Sequence, residues 1–452
     1  MLFNRRQFAA GGVASLAFAG VARSAVLQES YRNQAPGYGK LLRDPAGFFD
    51  LPPGFRYSII SVFGEAMDDG YAVPDKFDGM GCFPVDRSRI ALVRNHELKP
   101  EDRERGPTRG LQRLEQRLKS EPHFGRDKKG HVLPGGTSTI IVDTRTGRRE
   151  RQFLSLAGTA VNCAGGQTPW GSWLSCEESV LDEAEVGQSH GWLFEVPAKH
   201  RGLVQPQALT AMGRFRHEAA AIDPRSGVVY LTEDRDDSLF YRFIPNDSRK
   251  LAAGGRLQAL ALLDQASADT RNWHGPSVPV NQALPVRWID MTDPMSKADD
   301  LRRRGHQQGA ALFARGEGIH FGTDEFYVTC TSGGAAKLGQ IMRYRPGRGR
   351  GTEGTLEIFV ESSDSSVLDY ADNLTVAPWG DLIVCEDRAD GKVNHLKGVM
   401  PDGRIYTFAR LNADTELAGV CFSPDGRTMF VNAYSPGKTL AITGPWGAHL
   451  RG

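Results

Sequence analysis

Three short β-like runs in this chain end in adjacent carboxylates. Trp173-Leu174-Ser175-Cys176 runs into Glu177-Glu178, Val228 to Thr232 into Glu233-Asp234, and Asp381 to Cys385 into Glu386-Asp387. A strand points successive side chains to opposite faces. Leu174, Cys176 and Glu178 therefore share one face, and Trp173, Ser175 and Glu177 the other. One acidic doublet after a strand is an ordinary solvated strand end. Three at matched positions point to strand ends gathered at one place, which favours a fold whose β units repeat around a centre.

The spacing supports that reading. Cys176, Thr232, Cys330, Cys385 and Val431 each close a turn-then-strand unit, at steps of 56, 98, 55 and 46 residues. The 98-residue step contains a mixed segment and has room for a whole unit. Repeats of this length, each with several short strands, suit a β-propeller, whose blades cover one another's faces. Asp-Gly turns, as in Ser423-Pro424-Asp425-Gly426, are hairpin signals. The expected fold is all-β: a single β-propeller over residues 26–452, six-bladed, with insertions near 99–132 and 248–312. A β-sandwich is the alternative, but it explains the recurring acids less well. Helical surface excursions are expected where Leu111, Leu114 and Leu118 have helical spacing, and at residues 257–264 and 293–309.

Composition excludes some functions. Lys plus Arg is 55 and Asp plus Glu is 54, so net charge makes no case for nucleic-acid binding. Asn4-Arg5-Arg6-Gln7-Phe8 precedes fourteen small or apolar residues, Ala9 to Ala22. That run is short for a membrane span and has the form of an export signal. The paired arginines resemble the twin-arginine signal, although Asn4 and Ala9 depart from its usual residues. Residues 1–25 are expected to be removed. No other apolar stretch is long enough to span, so the mature chain is expected to be soluble, periplasmic or secreted, and monomeric.

The candidate ligands are mostly carboxylates: Glu97, Glu177, Glu178, Glu218, Glu233, Asp234, Glu317, Glu386 and Asp387. Gathering even five of them is untenable without cations, because like charges raise each other's pKa and buried charge is costly. Hard oxygen ligands point to Ca²⁺, Mg²⁺, Mn²⁺ or ferric iron. No HExxH occurs. Of the six cysteines, Cys176, Cys330, Cys385 and Cys421 sit in β-like runs and suit packing. Cys163 lies in a glycine-rich polar loop, and its thiolate in the cluster would favour iron over calcium alone. Arg235 and Arg315 lie beside acids and can fork onto an anion.

Asn95-His96-Glu97, NCAGGQTPWGSWLSCEE at 162–178, His217-Glu218, TEDR at 232–235, RGEG at 315–318 and CEDR at 385–388 together resemble the PhoX alkaline phosphatase family. The resemblance implies a twin-arginine exported propeller that hydrolyses small-molecule phosphate esters with Ca²⁺ and Fe³⁺ at its axial opening. It implies Cys163 as the iron-bound thiolate. Glu97, Glu177, Glu218, Glu233, Asp234, Glu317, Glu386 and Asp387 would hold metals, with Glu178 ranked below Glu177. Asn95 and Arg315 would face the phosphoryl group. A phosphodiesterase or other propeller hydrolase is the second reading. A non-catalytic calcium-stabilised propeller is the third.

A metal centre assembled in the cytoplasm gives a physical reason to fold before export. Changing Arg5-Arg6 to Lys-Lys is expected to leave precursor in the cytoplasm on fractionation. Unchanged periplasmic yield would contradict the twin-arginine route.

Overall fold

Short β runs separated by tight turns leave most backbone groups to be paired between strands, and the chain pairs them in antiparallel sheets. The computed structural model describes residues 30–347, 353–388 and 393–451. The chain divides into Met1–Ser30 and Tyr31–Gly452, and the expected signal at 1–25 lies outside the described residues. Tyr31–Gly452 is mostly β. Its helices are short: Gln112–Lys119 and Leu301–Gln307, plus single 3₁₀ turns. The first buries Leu114 and Leu118, as their spacing predicts.

Six separate blades are not what the strands form. Hydrogen bonding joins them into four small sheets, of three, four, four and five strands, and one sheet of nine. The physical reason is the strand Leu284–Asp290. It pairs with Gly255–Leu262 on one side and through Leu284 and Pro285 with Thr355–Glu361 on the other. That bridge fuses two four-stranded units into one sheet. The helix expected at 257–264 is also corrected. Leu257, Leu260 and Ala261 have helical spacing, but the segment is the strand Gly255–Leu262, paired on both edges. A short apolar run buried on both faces does not distinguish strand from helix by period.

Six strands line the centre: Phe77–Pro84, Asn162–Gln167, His217–Ile222, Gly316–Phe321, Ala371–Val376 and Leu417–Phe422. Each packs against the next, and the last returns to the first. Their backbones approach closely. A Cβ on Gly79 would lie 2.5 Å from the Ala164 Cα, and one on Gly419 would lie 2.4 Å from the Asp78 carbonyl oxygen. Large apolar side chains instead fill the spaces between sheets, as with Leu174, Phe215, Leu231 and Tyr241.

Every inner strand carries a register shift near its start. The shifts fall between Phe77 and Met80, Asn162 and Gly165, His217 and Ala220, Gly316 and Ile319, Ala371 and Leu374, and Ala418 and Cys421. Such bulges re-aim a side chain at the end of a ladder. The residue placed there is the second of each strand: Asp78, Cys163, Glu218, Glu317, Asp372 and Ala418.

Candidate metal centre

Five of those six positions carry a metal-capable side chain. Cys163 is the second residue of a strand rather than part of a loop, and the bulge at Ala164 presents it among the acids. Its Sγ lies 3.2 Å from Asp78 Oδ2. Among the described residues three overlapping groups form: Asp78, Glu97 and Cys163; Cys163, Glu178 and Glu218; Glu218, Glu317 and Asp372. Within each, the donor atoms lie within 4.8 Å of one another. Cys163 and Glu218 link the groups into one chain of ligands. Asp78, Glu218, Glu317 and Asp372 form its buried floor, while Glu97, Cys163 and Glu178 are partly exposed.

The acidic doublets divide their work. Glu177 is fully buried and turned away from the centre. It accepts hydrogen bonds from the backbone N–H of Ala160, Gly191 and Trp192, and lies 2.7 Å from His190 Nδ1. Glu386 repeats this with the backbone N–H of Asp369 and His395 and the His395 ring. Glu233 accepts from the Tyr241 hydroxyl, and Arg302 lies 3.8 Å away. None of these three belongs to the metal-capable groups. The second members face the other way, as strand alternation requires. Glu178 is in the cluster, Asp234 is gripped by Arg315, and Asp387 is paired with Glu416.

Burial pushes the pKa of these acids up, and neighbouring carboxylates add to the shift. Glu178 rises to about 8, by burial and then by Asp234. Asp372 rises to about 7, by burial and then by Asp387. Asp78, Glu218, Glu317 and Glu416 are also raised well above the usual range, burial first. Burial, and then Asp78, pushes the Cys163 thiol up as well. Both carboxylate oxygens of Glu218, and Oδ1 of Asp78, are buried with no hydrogen-bond partner. Unpaired buried acceptors of this kind are expensive. A multivalent cation would satisfy them, so the donor set fits metal.

Asn95 is buried and fully engaged. Its Nδ2 donates to the carbonyls of Cys163 and Ala164 at 3.0 and 2.6 Å, and its Oδ1 accepts from Trp173 Nε1 and Ser175 Oγ. Equivalent residues clasp other inner strands. Thr232 Oγ1 donates to the Glu317 carbonyl, Thr329 Oγ1 to that of Asp372, and Asn432 Nδ2 to that of Asp78. Each is the penultimate residue of a second strand holding the backbone of a candidate ligand on the next inner strand. Arg315 forks onto Asp234 at 2.8 and 2.9 Å and donates to Glu317 at 2.8 Å. Arg235 turns aside to Asp299, at 2.8 Å. The Tyr434 hydroxyl donates to Glu97.

Sequence reasoning missed Asp78, Asp372 and Glu416. Asp78 and Asp372 do share a signal with Cys163, Glu218 and Glu317: each is followed by a small residue, Gly79, Asn373, Ala164, Ala219 and Gly318 respectively. A cavity of about 490 Å³ opens on the later halves of the same inner strands. It is lined by residues such as Met80, Ile319, Leu374 and Val420 and by none of the acids.

Pseudomonas fluorescens PhoX, solved in complex with vanadate, a transition state analogue, aligns with a TM-score of 0.65 and 19% identity. The alignment covers 88% of this chain and 96% of that one, and the likeness shows the fold. A gluconolactonase from Xanthomonas campestris aligns at a TM-score of 0.41 and 12% identity, over 90% of this chain and 98% of that one. No curated protein sequence matches. The family model described as alkaline phosphatase PhoX matches residues 36–437. The chain therefore belongs to the PhoX alkaline phosphatase family and is a metal-dependent phosphoester hydrolase.

Proposed function

We propose that this enzyme hydrolyses phosphate monoesters outside the cytoplasm, using a mixed calcium and ferric-iron centre. The carrying observation is the chain of ligands joined through Cys163 and Glu218. Carboxylates alone suit Ca²⁺, and one thiolate among them suits iron. Asp78, Glu97, Cys163, Glu178, Glu218, Glu317 and Asp372 would hold the metals, with Asp234, Asp387 and Glu416 beside them. Glu177, Glu233 and Glu386, proposed as ligands from sequence, instead support the loops around the centre. Bound metals would supply charge neutralisation and Lewis acidity for phosphoryl transfer.

The protein's own groups do the positioning. Asp234 and Glu317 hold the Arg315 guanidinium in place, so little rotamer entropy is left to lose when it meets the phosphoryl oxygens. Asn95 acts through the Cys163 backbone. It keeps the thiol aimed while its own hydrogen-bonding groups are occupied. Among the described residues no helix is long and apolar enough to cross a membrane, and the export signal read from sequence supports action in the periplasm or outside the cell.

Two outcomes test this. Purified wild type is expected to absorb visible light through a thiolate–ferric bond and to cleave phosphomonoesters faster than phosphodiesters or lactones. Cys163→Ser is expected to bleach the protein and lower kcat by about two orders of magnitude or more, while Cys421→Ser does neither. A colourless, iron-free wild type with full activity would contradict the mixed centre.

The second outcome concerns pH. In the metal-free protein the folded pKa values of Glu178 and Asp372, about 8 and about 7, lie above their unfolded values. The folded state then binds more protons, and stability is lost as pH rises through that window. Chelated protein is expected to melt lower near about pH 9 than near about pH 5.5, with Ca²⁺ narrowing the gap. A chelated protein equally stable at both would contradict it.

A further inference from the structure

Two residues upstream of each second-position side chain stands the residue that enters the inner strand: Lys76, Val161, Arg216, Arg315, Tyr370 and Glu416. Three of the six are cations, and the three are held differently. Lys76 is tied to Asp102 at 2.9 Å, with its side chain 17% exposed. Arg315 commits Nε and Nη2 to Asp234 and Glu317. Arg216 does neither. Its Nη1 stands 3.6 Å from Glu178 Oε1, beyond hydrogen-bond reach, and its side chain is 41% exposed. Its Nε is buried with no hydrogen-bond partner.

The backbone of Arg216 is nonetheless fixed. Its carbonyl accepts from the Asp234 N–H at 3.3 Å, and Asp234 is the residue that grips Arg315. The two arginines therefore enter neighbouring inner strands and both join Asp234, Arg216 through its backbone and Arg315 through its side chain. A guanidinium held by one long ion pair to a metal-capable acid, with no side-chain hydrogen bond among the described residues, is the most open of the three to a further anion.

We propose that Arg216 is a second anion-binding residue of the site. It takes a non-bridging phosphoryl oxygen of the ester, and equally of the inorganic phosphate product, opposite Arg315. This rests on the phosphoesterase reading above. Arg315, already pinned, sets orientation. Arg216, partly exposed and held only by the long contact to Glu178, adds affinity for the anion.

Inorganic phosphate, titrated calorimetrically into the metal-loaded protein, tests this without turnover. Arg216→Met is expected to weaken phosphate binding about 10- to 100-fold, as loss of one charge-assisted hydrogen bond would. Its metal content and unfolding midpoint should match wild type. Arg216→Lys is expected to fall between the two, because it keeps the charge and loses the fork. In turnover, KM for a phosphomonoester should rise more than kcat falls. Phosphate binding within twofold of wild type in Arg216→Met would overturn the assignment, as would a wild type that binds no phosphate at millimolar concentration. A wild type that binds phosphate but cleaves no phosphate ester would refute the phosphoesterase reading and leave the anion site standing.

Discussion

The clasp from one strand to the carbonyl of the next holds the centre together. Asn95, Thr232, Thr329 and Asn432 each reach from the end of a second strand to the backbone of an inner strand in a neighbouring unit. The carbonyls they hold belong to Cys163, Glu317, Asp372 and Asp78. Inner strands carry bulges just there, so their own ladders leave the backbone short of partners. The clasp supplies those partners and fixes the direction of each ligand side chain.

Function follows from the same geometry. Burial and crowding raise the pKa values of these carboxylates, and a cation would relieve that crowding. Fixing their backbones by hydrogen bonds that do not involve the carboxylates leaves the acids free for metal. The first member of two of the doublets takes a structural load. Glu177 and Glu386 satisfy backbone N–H groups just ahead of an inner strand, which leaves Glu178 and Asp387 to face the axis.

Much of this was legible in the sequence. The β repeats, the gathering of acids and Arg315 as a charged neighbour followed from residue types and spacing, whereas Cys163 was set apart as a loop residue and stands in a strand. The choice within a doublet did not follow. Alternation places Glu177 and Glu178 on opposite faces, but only the position of His190 and of the Trp192 backbone shows which face is the blade interior. Asp78 and Asp372 stand at strand starts, outside the acidic doublets that mark the centre in the sequence. The number of sheets was out of reach because the pairing of Leu284–Asp290 with Thr355–Glu361 spans a long sequence separation. The family resemblance implies that Asn95 faces the phosphoryl group. In the fold it is the counterpart of Thr232 and Asn432.

Glu177 and Glu178 carry opposite duties, and metal content measures them directly. Elemental analysis of purified Glu178→Gln should show metal lost relative to wild type, with the protein still folded. Glu177→Gln should keep its metal per folded molecule while unfolding at lower temperature. Full metal in Glu178→Gln, with metal lost from a folded Glu177→Gln, would contradict the assignment of the axis to the second member of the doublet.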